Sequence, residues 1–404
     1  MKRRFPRWRE VRPLLGIRSI TESPIERRLA AAPAIADLRR LARRRAPRAV
    51  FDYVDGSAES EISIARARAA FARMEFRPRV LRNVSDCDSS TTILGQPSCY
   101  PLIFGPTGFT RMMHHEGEAA VAHVAHRVGI PYALSTMGTT SIEELRAAEP
   151  DGNLWFQLYL WRDREASGDL VRRAADSGYS ALMLTVDTAV AGGRLRDVRN
   201  GLTIPPSLRL KTLADMSLHP AWWANLLTTE PLRFASVSNS DGVPADLINR
   251  LFDPSITWDD VAWLRTVWPG KLVVKGIGTV EDALLCVEHG VDGVVLSNHG
   301  GRQLDRSVTP IELLPEVVST IGDRAEVYID GGVSTGADAL AAVALGARAA
   351  LVGRAYLYGL MAGGERGVDA AADILTSELR RTQQLLGAAT LGDLSPDQVN
   401  LPPR

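Results

Sequence analysis

From about residue 100 onward the chain alternates short apolar runs with longer segments of helical periodicity. The runs PLIFGPT (101–107), PYALST (131–136), WFQLYL (155–160), ALMLTVD (181–187), KLVVKG (271–276), DGVVLSN (292–298), AEVYID (325–330) and RAALVGR (348–354) read as strands. They are nearly continuously apolar, as parallel strands buried on both faces must be. Helical patterns separate them: EGEAAVAHVAHRV, SIEELRAA, DREASGDLVRRAADSG, TWDDVAWLRTVW, TVEDALLCVEHG, IELLPEVVSTIG, STGADALAAVALG and a long one after Gly364. The helices open with Ser, Thr or Asp and several close on Gly, as helix ends require. Eight strand–helix units predict an α/β chain folded as a closed (β/α)8, or TIM, barrel. The rival, an open doubly wound sheet, would carry a GxGxxG turn near the start. The nearest candidate, GIGTVE from Gly276 to Glu281, lacks the third Gly and falls late.

Two segments stand outside the repeat. Residues 1–100 precede it as an N-terminal extension with a helical pattern, IADLRRLARRRAPRAVFDYVDGSAES. Residues 197–255 form a long insert between strand four and its helix, a length that in a compact domain marks a lid or docking segment. The insert holds PAWWANLLTTEPLRF, with Trp222, Trp223, Leu226, Leu227 and Phe234 close together. That cluster fits core packing, a subunit surface or a membrane-docking patch.

Composition narrows the class. The chain has 404 residues, 45% apolar and 23% charged, with zero formal net charge. The balance hides an asymmetry, because residues 1–50 hold fifteen Lys and Arg against four Asp and Glu. A solvated basic arm or a surface that pairs with another subunit is the expected role, and no nucleic acid partner is assigned. Three cysteines at wide spacing, Cys87, Cys99 and Cys286, fit a reducing compartment and exclude a zinc ribbon or disulfide framework. The N-terminus lacks an apolar run long enough for a signal peptide, and no window approaches a spanning helix. The expected location is cytoplasmic, with attachment to the inner face of the cell membrane left open.

In such a barrel the chemistry sits at the C-terminal ends of the strands. Those ends carry Pro106, Thr107 and Gly108, then Ser135, then Gln157 and Tyr159, then Thr185 and Asp187 with Arg194 just beyond. Lys275 follows on strand five, and Ser297, His299 and Arg302 on the loop SNHGGRQLD after strand six. Asp330, Gly331 and Gly332 follow strand seven, and Gly353 and Arg354 strand eight. Any one of these has an ordinary structural explanation. Independent structural reasons would not stack six ionisable side chains on one rim. The glycines after strands seven and eight lie where barrels bind phosphate on backbone N–H groups, and Arg354 adds a cation. His114 and His115 lack metal-ligand spacing, and no metal is assigned.

SNHGGRQLD, together with FQLY, LTVD, VVKGI, DGGV and GRAYLYG, resembles the FMN-dependent α-hydroxy-acid dehydrogenases and oxidases. The resemblance covers residues 36–390 and is nearest, within that family, to bacterial respiratory L-lactate dehydrogenases. It implies a basic arm at 1–35, a barrel domain at 36–390 with its insert or lid at 197–255, and a C-terminal tail at 391–404. It implies His299 as the active-site base with Asp187 bonded to it. Tyr53, Arg194 and Arg302 would hold the substrate carboxylate, and Tyr159 would contact the hydroxyl oxygen. FMN would lie on Pro106, Thr107, Gly108, Ser135, Gln157, Thr185 and Ser297, with Lys275 by the ring's N1–O2 edge. Its phosphate would lie on Gly331, Gly332, Gly353 and Arg354, with Asp330 also among the residues that bind the cofactor. The implied reaction is oxidation of a small L-2-hydroxy acid, L-lactate above all, with electrons passed to a quinone or cytochrome. An oxidase using oxygen, or a dehydrogenase of a larger acid such as mandelate, is the alternative. The implied assembly is a homo-oligomer, a tetramer, with membrane contact through 205–235.

The chemistry of the residues agrees with this reading. Two guanidinium groups can orient a carboxylate bidentately. Oxidation needs a base and a two-electron acceptor, and no side chain is one. A non-catalytic phosphate sensor would not need the base and clamp, and a nucleotide dehydrogenase on a similar barrel would place a Cys near the rim. Two positions depart from the family pattern: Ser334 stands where many members have a phosphate-binding Arg, and Met137 where a bulky Trp often lines the pocket.

Overall fold

Every barrel strand pairs in parallel with its neighbour in sequence, and the eighth closes on the first. The strands are β1 (Leu102–Phe104), β2 (Tyr132–Ser135), β3 (Leu154–Leu158), β4 (Ala181–Thr185), β5 (Lys271–Ile277), β6 (Gly293–Leu296), β7 (Glu326–Ile329) and β8 (Ala349–Val352). All eight fall inside or against the apolar runs read from sequence. The computed structural model describes residues 4, 5, 7–11, 23–202, 210–236 and 252–402. The rest of the expected arm, parts of the expected insert and the last two residues of the expected tail lie outside them.

Side chains alternate across each strand, so the barrel has two cores. Leu102, Phe104, Leu134, Phe156, Leu182 and Val274 face the surrounding helices. Ile103, Ala133, Trp155, Met183, Val273, Val295, Tyr328 and Leu351 fill the lumen. Small residues make room for large ones there: a Cβ on Gly293 would stand 2.7 Å from the Tyr328 ring. A hairpin, Thr91–Ile93 with Gln96–Ser98, plugs the N-terminal mouth with Ile93 and Leu94. Its two-residue turn, Leu94–Gly95, has positive φ at both positions, as a tight hairpin demands. The Leu94 N–H donates to both Glu326 carboxylate oxygens, and Glu326 also accepts from the Tyr328 hydroxyl.

The N-terminal extension crosses to the other mouth. Its helices Ile35–Arg45, Arg48–Asp55 and Ile62–Arg73 hold their apolar faces against the helix Arg354–Gly363 and the helix Pro310–Ile321. Within the expected arm, helix Pro24–Ala30 docks, with Leu29 buried. Arg39 is tied to the buried Asp55 through bonds of 2.5 and 2.8 Å, so part of the basic stripe is structural. Within the expected tail, Val399 and Asn400 pair antiparallel with Phe76 and Glu75. In the insert, Trp222 donates its indole N–H to the Met112 carbonyl at 2.8 Å, and Phe234 packs edge-on against Phe109. Leu218 and Leu227 remain about three-quarters exposed, at 76% and 75%. No described helix is long and apolar enough to cross a membrane.

Candidate active site

The loop SNHGGRQLD has a structural task at almost every position. Ser297 Oγ accepts from Lys275 Nζ and from the His299 N–H, both at 2.9 Å, locking strand end to loop. The Asn298 side chain accepts the Gly301 N–H and turns the chain. His299, Gly300 and Gly301 then run consecutively at positive φ, 56°, 61° and 75°. Such a conformation is costly for a residue with a Cβ and persists where surrounding contacts over-determine it. Gly300 and Gly301 are required by close approach, since a Cβ would stand 2.7 Å from an Arg354 nitrogen or 3.0 Å from the Ile64 nitrogen. The Gln303 amide donates to the Asp187 and Val190 carbonyls and accepts from the Gly192 N–H, joining this loop to the one after β4. Asp305 accepts the N–H groups of Ser60 and Ser63, fastening the extension to the same loop.

This turn aims His299 and Arg302 into one cavity of about 220 Å³. Seventeen of the nineteen site residues named from sequence line that cavity, so one space unites them. The other two, Asp187 and Ser297, stand behind it and hold His299 and Lys275. His299 Nδ1 lies 2.9 Å from Asp187 Oδ1. The carboxylate can only accept, so Nδ1 carries the proton and Nε2 is left as an acceptor. Gly276, at φ 112°, lets Asp187 come this close, because a Cβ there would stand 2.8 Å from the Asp187 Cβ. The GIGTVE stretch is thus the bulged end of β5 followed by Thr279, which caps the helix Val280–Glu288. Burial pushes the Asp187 carboxyl up, but its bond to His299 and the Lys275 charge outweigh it and hold it below the usual value.

The remaining walls have distinct chemistry. Tyr159 Oη is 3.5 Å from His299 Nε2, and burial, with Asp187 adding, pushes its phenol well above the ordinary value. Arg302 and Arg194 lie over the Tyr53 ring, at 5.0 and 5.8 Å from its centre. Burial, and then Arg194, pull the Arg302 guanidinium down to about 10, which leaves it charged at neutral pH. Lys275, fully buried, forms an ion pair of 2.8 Å with Asp330; burial would lower its ammonium, but Asp330 and Asp187 hold it above the ordinary value. Ser135 donates to the Gln157 side-chain oxygen, and Gln157 donates to Thr185, both at 3.0 Å.

These walls fit FMN. Gln157, Ser135, Thr185 and Lys275 form a hydrogen-bonding edge suited to a flavin ring. Asp330 Oδ1 is buried without a partner, an acceptor suited to a ribityl hydroxyl. At Gly353, just before the helix Arg354–Gly363, a Cβ would meet only Thr107, so the backbone faces open space at a helix N-terminus. Sequence reasoning passed over Arg68 and Phe252, which also line the cavity. Neither lies at a strand end, and no local pattern marks a residue brought in by docking.

Comparison with known proteins agrees. The model of the FMN-dependent dehydrogenase family matches residues 42–401. A Mycobacterium tuberculosis protein, provisionally named an L-lactate dehydrogenase, is 54% identical over 99% of this chain and 96% of its own. The (S)-mandelate dehydrogenase of Pseudomonas putida is 41% identical over 90% of this chain and 93% of its own. A crystal structure of monotopic membrane protein (S)-mandelate dehydrogenase superposes with a TM-score of 0.87 at 41% identity, covering 91% of this chain and 99% of that one. With its barrel and its His–Asp couple in place, the chain belongs to the FMN-dependent dehydrogenase family and is an FMN-dependent oxidoreductase of 2-hydroxy acids.

Proposed function

We propose that this protein oxidises a short L-2-hydroxy acid, L-lactate to pyruvate first, and delivers the electrons to a quinone or cytochrome. One observation carries the reading: His299, backed by Asp187, and two guanidinium groups face the same small cavity. Arg302 and Arg194, stacked on Tyr53, would hold the substrate carboxylate. That anchoring would set the neighbouring carbon and its hydroxyl against His299 Nε2. Nε2 would take the proton, and Asp187 would stabilise the imidazolium so formed. Tyr159, its phenol kept protonated, would hydrogen-bond the substrate hydroxyl oxygen. FMN, when bound, supplies the two-electron acceptor that no side chain can be. Pro106, Thr107, Gly108, Ser135, Gln157, Thr185 and Lys275 would hold the ring, with Ser297 steadying Lys275. Asp330, Gly331, Gly332, Gly353 and Arg354 would hold the ribityl phosphate.

The acceptor reading draws on the resemblance to membrane dehydrogenases and on the exposed Leu213, Leu218 and Leu227 of the insert. An apolar surface of this kind suits contact with a bilayer, where a quinone is found. A homo-oligomer, a tetramer, is part of the same reading. A second reading has its own support: Met137 can repack and Phe252 adds an aromatic wall, which suits an aryl acid such as mandelate. Turnover of L-lactate, glycolate and (S)-mandelate, each with oxygen and with a soluble quinone, tests these together. L-lactate with quinone should be fastest. Preference for mandelate would move the substrate to larger acids, and rapid turnover with oxygen would make the protein an oxidase. Liposome co-sedimentation that survives Leu218→Glu with Leu227→Glu would refute contact through the insert, failure of the unaltered protein to co-sediment would refute membrane contact, and light scattering reads the assembly.

A further inference from the structure

The phosphate end of the cavity carries more positive charge than its carboxylates balance. Arg354 directs its hydrogen bonds to the carbonyl oxygens of Val54, Gly56 and Gly300 and to Ser57 Oγ, and none to a carboxylate. Arg68, on the helix Ile62–Arg73, lines the same cavity with Arg354, Gly331 and Ser334. Among the described residues it forms no hydrogen bond or ion pair. The two guanidinium groups feel each other: burial, with repulsion from Arg68 adding to it, holds Arg354 below its ordinary value. Two neighbouring cations without a shared carboxylate repel each other, and an anion bound between them would relieve that repulsion.

The placement of Arg68 is enforced by packing. A Cβ on Gly332 would stand 3.0 Å from the Ala67 Cβ and 3.1 Å from the Phe71 ring, so the helix lies directly on the turn after β7. Gly332, at φ 104°, has no side chain to hold that helix away. The turn itself offers no cation. Ser334 gives both its N–H and its hydroxyl to Asp338, which also accepts the Thr335 N–H. The N-terminus of the helix Gly336–Ala344 is therefore closed by its own carboxylate. An anion here is left with the Gly353 end of the next helix, Arg354 and Arg68.

We propose that Arg68 is the second cation of the FMN phosphate site, reaching in from the N-terminal extension to a place that Ser334 leaves without charge. The proposal rests on FMN as the cofactor and concerns only its phosphate. FMN and riboflavin share the ring and ribityl chain and differ in that group, so they separate a charge role from a packing role.

The full-length protein is stripped of flavin and titrated with each flavin. Arg68→Gln should weaken FMN binding by about tenfold, the size of a lost charge-assisted contact at an exposed side chain, and leave riboflavin within about twofold. Arg68→Glu should weaken FMN further, again sparing riboflavin. Ser334→Arg in the Arg68→Gln background should return the preference for FMN, and added salt should narrow it in the unaltered protein. Unchanged FMN affinity in both Arg68 variants would overturn the proposal. Equal loss of both flavins would also overturn it, by showing that the residue only packs the helix. If the unaltered protein bound neither flavin, the cofactor assignment would fall and not the role of Arg68 alone.

Discussion

The two mouths of the barrel are built from the same eight strands and have opposite character. At the N-terminal mouth Ile93 and Leu94 close an apolar lumen, Glu326, the Tyr328 hydroxyl and the Leu94 N–H are bonded to one another, and Arg265 and Lys271 are paired with Asp292. At the C-terminal mouth Asp187 Oδ2 and Asp330 Oδ1 are buried without partners, His299 sits at positive φ, and guanidinium groups crowd Tyr53. One end satisfies its polar groups internally. The other holds them ready for something else. The contrast points to the same rim that the residue types at the strand ends mark.

The contrast can be broken at either end. The largest effect is expected from His299→Gln, which removes the proton acceptor: kcat for hydroxy-acid oxidation should fall by about 10²–10⁴-fold while FMN stays bound, read by flavin absorbance and anaerobic bleaching. At the opposite mouth, Ile93→Ala opens a cavity in the lumen and should cost about 2–5 kcal/mol of stability in denaturant unfolding, with kcat of the folded protein unchanged. A matching loss of kcat would show that the two ends are coupled. Arg302→Lys keeps the charge and loses the planar fork, and should raise KM by about ten- to a hundredfold with a smaller change in kcat.

The smallest effect is in acid. Asp187 is held below the usual carboxylate value, so its contribution to stability is complete above its unfolded pKa, about 3.9, and is lost as pH falls through the lower folded value. Asp187→Asn should therefore be less stable than the parent at pH 7. The gap should close below about pH 4 in pH-dependent thermal unfolding. A constant gap across that range would show that the side chain acts through shape and not charge.

Much of this architecture was legible along the chain because parallel strands buried on both faces leave unbroken apolar runs. The rim was legible for the complementary reason: ionisable residues at six of the eight strand ends have no business in a core. What escaped was set by tertiary docking. The hairpin Thr91–Ile93 and Gln96–Ser98 has three-residue strands, one with Pro97, too short for any alternation to register. The pairing of Val399 and Asn400 with Phe76 and Glu75 joins segments more than 320 residues apart. Asp187 was expected to bond His299 and does, whereas Ser297, named among the residues under FMN, stands behind Lys275 and holds it.

Arg354 clasps the carbonyl oxygens of Val54 and Gly56 across some three hundred positions of chain. During synthesis the extension leaves the ribosome long before its clasp exists. A truncated polypeptide ending ahead of β8 has strands and most rim residues but lacks this clasp and the helix Arg354–Gly363 on which the extension packs. Completion of the pocket is thus a late checkpoint, and a nascent or prematurely terminated chain presents no finished site in which redox chemistry could begin.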